Sequence, residues 1–460
     1  MPRQPALPRY HLRPRRGWLN DPNGMTYRDG RWHVFYQHNP HAAKHGDIHW
    51  GHASSADLAT WREHPVAFGP TPDGPDSAGC WSGVFLPPAI AGDDALVAYS
   101  GVVDDSHAST TVMRRALDDS LDTWSEPWVV ARTPTADGVA VMRDPFLFVH
   151  GGRRWALHGA GLVTGEPAVL LFSCDDLHAW VYEGIWARRA DTLDAPFAAD
   201  IWECPQLAFV DGRAVLVVST QLRGQLDDVL AVVGDVVDDT EHPGRPAFRA
   251  AGWHRLDAGE VCYAPQFATD DTGSWHLGWV RQEAVRPDDL PDATPDQAPD
   301  QAPAEGGSED LVAGCLTLPR RLRVVDGRIV VTRAPATDAL LADAPDLAAE
   351  LPLDLPPGDH DLPPAAMVST RGGTLVSPRG RIELPSGPAQ VWLDGEVVEV
   401  YPEPAPRTHC VPATFRHPDT VSWRLTVPSG TSARLHRLLD SGAPPDDGCP
   451  RFGPQGALGK

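Results

Sequence analysis

Five glycine-led segments recur along the chain at a nearly constant spacing. Each glycine opens a short apolar or alternating run, which is the pattern of a tight turn entering a β-strand. The spacings between successive glycines are 62, 60, 60 and 61 residues. The glycines are Gly30, Gly92, Gly152, Gly212 and Gly273, and they begin the runs GRWHVFY, GDDALVAYS, GRRWALHG, GRAVLVVST and GSWHLGWV. A constant period of this kind indicates a radial repeat, so we expect a five-bladed β-propeller.

Changes in composition along the chain indicate where the repeat ends and which segments follow it. Residues 286–310 are rich in Pro, Asp, Ala and Gln and predict a mobile acidic loop inside the fifth blade. Strand-like sequence resumes at 314–324 and is expected to close the propeller, which we place at 1–333. Short strand candidates then alternate with turn signals, at 381–385, 390–402 and 421–427. They predict a small C-terminal β-sandwich at 334–440, followed by a flexible tail at 441–460. The predicted fold class is therefore all-β.

Charge and cysteine usage exclude several classes of function. The chain has 62 acidic and 39 basic residues, a formal charge of −23, which disfavours nucleic acid and anionic membranes as partners. No apolar run approaches the length of a transmembrane helix. The seven cysteines are widely spaced without a CxxC motif, and the N-terminal segment lacks an apolar signal core. These features predict free thiols and a cytoplasmic location.

Three acidic residues share one phase of the repeat. Asp21 lies nine residues before Gly30, Asp144 eight before Gly152 and Glu203 nine before Gly212. Taken singly, each could be turn chemistry, because Asp-Pro and Asn-Gly are common turn dipeptides. Equivalent positions of a radial repeat are related by rotation about its axis, so we expect the three carboxylates to converge at one end of the central channel. By the same reasoning Trp81, Ser82 and Gln266 can line that pocket.

Clustered carboxylates have a specific chemical use. A nearby charge raises the pKa of one carboxyl group and leaves another ionised. Glycoside hydrolysis needs this pair, a neutral acid that protonates the leaving oxygen and a carboxylate that attacks or activates water.

At these residues the sequence resembles glycoside hydrolase family 32, the β-fructofuranosidases. Its three hallmark segments occur in order, WLNDPNG at 18–24, RDP at 143–145 and ECP at 203–205. The segments FYQHNP, HWGHASSADLATW, CWSG, YAPQ and LTLPR also match. The similarity is dense over residues 1–325 and implies a five-bladed propeller with an appended β-sandwich. It agrees with the architecture expected from the repeat.

The resemblance implies roles for individual residues in a double displacement with retention. Asp21 would be the nucleophile that attacks C2 of the fructosyl unit, and Glu203 the general acid/base. Asp144 would hold fructose hydroxyls and stabilise the transition state. The family's sugar-binding positions correspond here to Asn20, Gln37, Trp81, Ser82 and Arg143. No cofactor or catalytic metal is expected.

Several alternatives stay open at the level of sequence. The substrate is expected to be a small saccharide, sucrose or sucrose 6-phosphate, because His45 stands where many extracellular members carry Trp. Fructan or fructo-oligosaccharide exo-hydrolysis and fructosyl transfer compete, and a non-catalytic carbohydrate-binding propeller is the weaker alternative. His45, His49 and His52 could suggest a metal site, but on a strand His52 would not share a face with the other two. The oligomeric state is not readable.

Overall fold

The computed structural model describes residues 7–104, 108–192, 198–281, 312–341, 353–404, 409–418, 420 and 422–438. The predicted acidic loop at 286–310 and the predicted tail at 441–460 lie outside these residues. Within them the chain is nearly all β-strand, with one short helix, α1 (Pro88–Ala91), and 3-10 helices at Arg189–Thr192 and Pro335–Leu340. The predicted all-β class is confirmed.

The first five sheets follow one another along the chain, and within each sheet successive strands pair antiparallel. Sheet 1 contains β1 (Gly17–Arg28), β2 (Arg31–Asn39), β3 (His49–Ser55) and β4 (Arg62–Glu63). Sheet 2 contains β5 (Gly79–Phe85), β6 (Leu96–Val102), β7 (Ser109–Arg115) and β8 (Trp128–Arg132). Sheet 3 contains β9 (Val139–His150), β10 (Arg153–Leu162), β11 (Pro167–Ser173) and β12 (Val181–Arg188). Sheet 4 contains β13 (Ile201–Val210), β14 (Arg213–Leu222), β15 (Gln225–Asp238) and β16 (Pro246–Arg255).

The fifth sheet combines two stretches of chain that are far apart in sequence. It begins with β17 (Cys262–Thr269) and β18 (Ser274–Val280). Two short strands come next along the chain. β19 (Val312–Ala313) joins sheet 1, where it pairs parallel with β1, and β20 (Cys315–Leu316) pairs with β18 of the fifth sheet. The sheet ends with β21 (Arg320–Val325) and β22 (Arg328–Arg333). The chain thus returns from the fifth sheet to the first.

The first strands of the five sheets form a closed cycle. β1 contacts β5, β5 contacts β9, β9 contacts β13, β13 contacts β17, and β17 contacts β1. The apolar core is divided among the spaces between neighbouring sheets. One cluster joins Phe35 and Trp50 of sheet 1 to Tyr99 of sheet 2, and another joins Trp155 of sheet 3 to Leu216 of sheet 4. Neighbouring sheets are therefore held together by packing face against face.

The glycines of the repeat lie where the spacing predicts turns, with one difference. Gly30, Gly152 and Gly212 have φ of 78°, 74° and 75° and lie in the turn between the first and second strands of their sheets. Gly92 has φ of 66° but ends helix α1 instead of forming a hairpin. Proline occupies the first turn of that helix, where its missing N–H costs nothing. Strand β6 therefore starts only at residue 96.

The C-terminal part forms two further sheets that share one core. The larger sheet has the strand order β23 (Leu353–Leu355), β32 (Ala433–His436), β25 (Ala365–Arg371), β28 (Pro388–Asp394), β29 (Val397–Pro402) and β30 (Ala413–Arg416). The smaller has the order β24 (Gly358–Leu362), β31 (Trp423–Val427), β26 (Thr374–Ser377) and β27 (Gly380–Glu383). Val368 and Val391 of the larger sheet pack with Leu375 and Trp423 of the smaller. Of the strand candidates of the sequence, 381–385 overlaps β27, 390–402 contains strand residues of β28 and β29, and 421–427 overlaps β31, although residue 421 lies outside the described residues.

Within the described residues, the helices are short and the cysteines are unpaired. None of the helices in this part of the chain is long and apolar enough to cross a membrane. The six cysteines within it are buried free thiols.

Candidate active site

Each of the five first strands is interrupted by a β-bulge at an equivalent position. The pairing register shifts at Leu19–Pro22, Cys80–Gly83, Arg143–Phe146, Glu203–Gln206 and Tyr263–Gln266. A bulge leaves a residue unpaired, so a proline without an N–H fits there. Three of the bulges contain one among their unpaired residues, at Pro145, Pro205 and Pro265, whereas Pro22 is the first paired residue after the bulge of β1. The bulges interrupt the regular alternation of the strands beside the predicted carboxylates.

Backbone strain accompanies three of these bulges. Asp144, Cys204 and Ala264 have φ of 59°, 47° and 45°, in the left-handed region that side chains other than glycine disfavour. Such residues persist only where the surrounding structure fixes them, and they cluster at functional sites. The strain therefore coincides with the predicted site.

Asp21 is held by three side chains that the sequence assigned to sugar binding. Its Oδ2 accepts hydrogen bonds from Ser82 Oγ at 2.6 Å and from Gln37 Nε2 at 3.2 Å, and its Oδ1 accepts from Asn20 Nδ2 at 3.2 Å. Gln37 Nε2 also donates to Ser82 Oγ at 2.6 Å. Trp18 Nε1 donates to Asn20 Oδ1 at 2.8 Å and so orients the amide. These contacts fix the position of the Asp21 carboxylate.

Glu203 is held by a different set of donors. Its Oε1 accepts from Arg143 Nη1 at 3.0 Å and from Gln221 Nε2 at 3.3 Å, and its Oε2 accepts from Tyr263 Oη at 2.7 Å. The Arg143 guanidinium lies 5.5 Å from the centre of the Trp81 ring. Arg143 therefore connects Glu203 to the indole predicted to contact sugar.

Asp144 and Asp21 are joined through Cys204. Asp144 Oδ2 accepts the backbone N–H of Cys204 at 2.9 Å, and the Cys204 Sγ lies 3.5 Å from Asp144 Oδ2 and 3.6 Å from Asp21 Oδ2. The three predicted carboxylates, which come from three different sheets, thus form one connected cluster. All eight predicted site residues belong to this network, with Trp81 joining through its ring contact.

Burial gives the site a characteristic electrostatic state. Burial and the neighbouring charge of Glu203 raise the pKa of Asp21 to about 6, although hydrogen bonds from Ser82 and Asn20 oppose this rise. Burial and Glu203 likewise raise the pKa of Asp144 to about 7. Burial raises the pKa of the Cys204 thiol well above its usual value, so it stays protonated. At neutral pH the Asp21 carboxyl group is therefore mostly ionised.

Sequence reasoning missed two contacts to Glu203 and misplaced one residue. Tyr263 lies ten residues before Gly273, so its phase resembles that of Glu203 and could have revealed it. Gln221, at the far end of β14, has no such signal. Gln266 was expected to line the carboxylate pocket but instead lines a separate cavity with Met25, Phe85 and Leu147. It lies beyond the bulge of β17, whereas Tyr263 lies before it.

Most glycosidases use a pair of carboxyl groups for catalysis, and this buried site holds two with separate hydrogen-bond partners. The family model "Glycosyl hydrolases family 32 N-terminal domain" matches residues 11–334. The chain therefore belongs to glycoside hydrolase family 32, as its motifs predicted.

Curated relatives and solved structures agree with this assignment. The chain is 30% identical over 346 residues to a sucrose-6-phosphate hydrolase of Bacillus subtilis, covering 73% of this chain and 67% of that enzyme. It is 30% identical over 337 residues to a raffinose invertase of Escherichia coli, covering 70% and 63%. The aligned region thus spans about two thirds of these relatives.

The structural neighbours show the same fold over nearly the whole chain. A family 32 β-fructofuranosidase of Bombyx mori superposes with a TM-score of 0.72 at 22% identity, covering 94% of each chain. A sucrose-6-phosphate hydrolase of Lactobacillus gasseri superposes with a TM-score of 0.70 at 20% identity, covering 95% and 93%.

Proposed function

We propose that this protein is a retaining β-fructofuranosidase that releases fructose from sucrose or sucrose 6-phosphate. The observation that carries the proposal is the pair Asp21 and Glu203. They share one buried cluster and yet have wholly different hydrogen-bond donors. The predicted fructose-releasing activity agrees with the family and with the names of the relatives.

The proposal includes the finer architecture. Residues 1–333 would be a five-bladed β-propeller and residues 334–440 a β-sandwich. The closed cycle of five first strands supports the propeller, and the single core shared by two sheets supports the sandwich.

In the first step Asp21 attacks the anomeric C2 of the fructosyl unit and Glu203 protonates the glycosidic oxygen. Ser82, Gln37 and Asn20 hold the Asp21 carboxylate, so little reorientation is needed before attack. The bond from C2 to Asp21 forms as the bond to the leaving oxygen breaks. In the second step Glu203 takes a proton from water, whose oxygen attacks C2 as the bond from C2 to Asp21 breaks. Fructose leaves with retention and the Asp21 carboxylate is regenerated.

The remaining predicted residues would bind fructose. Asp144 would accept sugar hydroxyls and stabilise the positive charge that develops at C2, and Arg143 would donate beside it. The Trp81 ring offers a flat apolar surface of the kind on which a sugar face packs. Asn20, Gln37 and Ser82 each donate a hydrogen bond to Asp21. These bonds already orient their polar groups toward the same site.

Leaving-group chemistry separates the two catalytic roles. Glu203→Gln should lower kcat on sucrose by about 10²–10⁴-fold, because general acid catalysis is lost. A fructoside with an activated aryl leaving group needs no protonation by Glu203 in the first step. Azide can attack C2 in the second step without a general base. Together the two reagents should restore turnover in Glu203→Gln. They should not rescue Asp21→Asn, which lacks the nucleophile. The exposed variant Asp175→Asn serves as a matched control with unchanged activity. Near-wild-type sucrose hydrolysis by a folded Asp21→Asn protein would contradict the proposal.

Measurement of kcat/KM on sucrose and sucrose 6-phosphate side by side decides between the two substrates. Preference for the ester would require a basic group near the leaving glucose, and preference for free sucrose would define an invertase. If the protein cleaves neither sucrose nor sucrose 6-phosphate but does cleave short fructans, the exo-hydrolase alternative is favoured. A cytoplasmic location stays a prediction of the sequence.

A further inference from the structure

Three side chains between sheets 1 and 2 point ligand atoms at one another, outside the carboxylate cluster. His52 Nδ1 lies 3.8 Å and His64 Nδ1 lies 3.6 Å from the same atom, Asp122 Oδ1. Both distances exceed a hydrogen bond. Within the described part of the chain, neither His52 Nδ1 nor Asp122 Oδ1 has a hydrogen-bond partner, although both atoms are buried. Buried polar atoms without partners are rare and require an explanation.

The spacing suits a shared metal ion. Two atoms bound to one tetrahedral zinc ion lie about 3.3 Å apart, given bonds of about 2.0–2.1 Å. The two separations from Asp122 Oδ1 are only slightly larger, and the three ligand atoms all lie within 4.8 Å of one another. The His52 and His64 rings stack at 4.2 Å with 23° between their planes, so binding requires the less buried His64 ring to tilt away from His52 while its Nε2 stays beside Ser54 Oγ.

The outer nitrogens of both rings are already bonded, which frees Nδ1 for a ligand role. His52 Nε2 lies 3.0 Å from His33 Nδ1, and His64 Nε2 lies 2.8 Å from Ser54 Oγ. When each Nε2 carries the proton, both rings donate outward and both Nδ1 lone pairs face Asp122. Histidines that bind metals are oriented in this way by second hydrogen bonds.

We propose that His52, His64 and Asp122 form a zinc site that fastens sheet 1 to sheet 2, with water as the fourth ligand. His52 lies on β3, His64 just after β4, and Asp122 in the connection between β7 and β8. Asp122 is about one third exposed, which leaves room for water at the open side. The site is structural, because it shares no residue with the carboxylate cluster.

Metal binding to the purified full chain, stripped with EDTA, tests this inference. We expect one zinc ion per chain by calorimetry, and a Tm rise of about 3 °C at a zinc concentration a hundredfold above Kd. Cobalt should give the visible spectrum of a tetrahedral site, and magnesium should have no effect. Activity on sucrose should change little.

Matched variants locate the ion. Asp122→Asn and His64→Gln should each abolish the zinc-dependent Tm rise and the cobalt spectrum. Asp47→Asn serves as the control, because Asp47 belongs to a second, more exposed cluster with His41 and His49. It should keep both signals. Absence of zinc binding in the wild type, or loss of the signals only in Asp47→Asn, would overturn the inference.

Discussion

The Cys204 thiol illustrates how single residues set the chemistry of the site. It lies between Asp21 and Asp144, and its backbone N–H is bonded to the latter. Because burial keeps the thiol protonated, it is a weak donor to both carboxylates and no rival nucleophile. The backbone of Cys204 is strained, with φ of 47°, and persists in this conformation because the surrounding structure fixes it.

At the residue scale, the acid side of the pH profile should report Asp21. Since the pKa of Asp21 is raised to about 6, kcat/KM should fall as pH drops through that value and the proposed nucleophile becomes protonated. The hydrogen bond from Ser82 lowers this pKa, so Ser82→Ala should move the acid limb to higher pH. A pH profile of kcat/KM on sucrose measures the shift. An acid limb that stays in place or moves to lower pH would show that Asp21 does not control it.

Removal of the negative charge of Asp144 should stabilise the protein. A carboxyl whose pKa is raised by folding binds its proton more tightly in the folded state, so stability declines as pH rises from the unfolded value, near 3.8, through about 7. Asp144→Asn should therefore raise the free energy of unfolding by about 1–3 kcal/mol at pH 8. The gain should vanish near pH 4.

Chemical denaturation at the two pH values checks this expectation. Asp175 serves as the control because its pKa shifts in the opposite direction. Hydrogen bonds from Arg154 and Arg153 lower it. Asp175→Asn should give no gain at pH 8. Destabilisation of Asp144→Asn at pH 8 would contradict the electrostatic explanation.

At the scale of elements, the bulged first strands decide which residues meet. The period of the glycines predicts the second strands and the phase of Asp21, Asp144 and Glu203, since a period is a local property of sequence. It does not predict the bulges, because these depend on how one strand pairs with the next. For this reason Tyr263 was missed and Gln266 was misplaced.

Gly159 shows how closely two of these elements approach. It lies on β10, and a Cβ there would lie 2.3 Å from the carbonyl oxygen of Trp202, the residue before Glu203. Gly159→Ala should reduce the free energy of unfolding by about 1–3 kcal/mol and lower kcat, because the backbone must shift beside the acid. Gly252→Ala is the control, as nothing lies within 4 Å of its added Cβ. Thermal denaturation and sucrose kinetics measure both effects, and equal behaviour of the two variants would contradict this packing.

At the scale of the whole molecule, a buried ionic network joins the sheets of residues 1–333 to the C-terminal sheets. Arg320 is fully buried and pairs with Asp257 at 2.7 Å and with Glu399 at 3.0 Å. His11 bonds Asp394 at 2.8 Å and Glu399 at 3.0 Å. Burial lowers the pKa of His11, but these two acids outweigh it and raise the pKa to about 9. No sequence pattern indicates this network, because most of its members are far apart along the chain.

Removal of one partner should cost far more here than at the surface. Arg320→Met leaves buried Asp257 without its counter-charge and Glu399 with His11 alone, and should lower the free energy of unfolding by about 3–5 kcal/mol. Arg434→Met breaks only an exposed pair with Asp354 and should cost less than about 1 kcal/mol. Urea denaturation distinguishes the two. A loss for Arg320→Met no larger than that for Arg434→Met would show that the network does not hold the two parts together.

The same network predicts how stability depends on pH. Because folding raises the pKa of His11, its contribution is complete below about 6.5 and is lost as pH rises through about 9. Burial raises the pKa of Glu399, but Arg320 and His11 outweigh it and lower the pKa to about 2, so its contribution is lost in acid. Stability from the network should therefore be greatest near neutral pH.

Trapping the covalent intermediate tests the proposed double displacement most directly. Glu203→Gln should react with an activated aryl fructoside but release fructose slowly, because no general base activates water. Intact-protein mass spectrometry should then show one added fructosyl group, and peptide mapping should place it on Asp21. A fructosyl group on any other residue, or the same adduct in the double variant Asp21→Asn/Glu203→Gln, would contradict the assignment of Asp21 as the nucleophile.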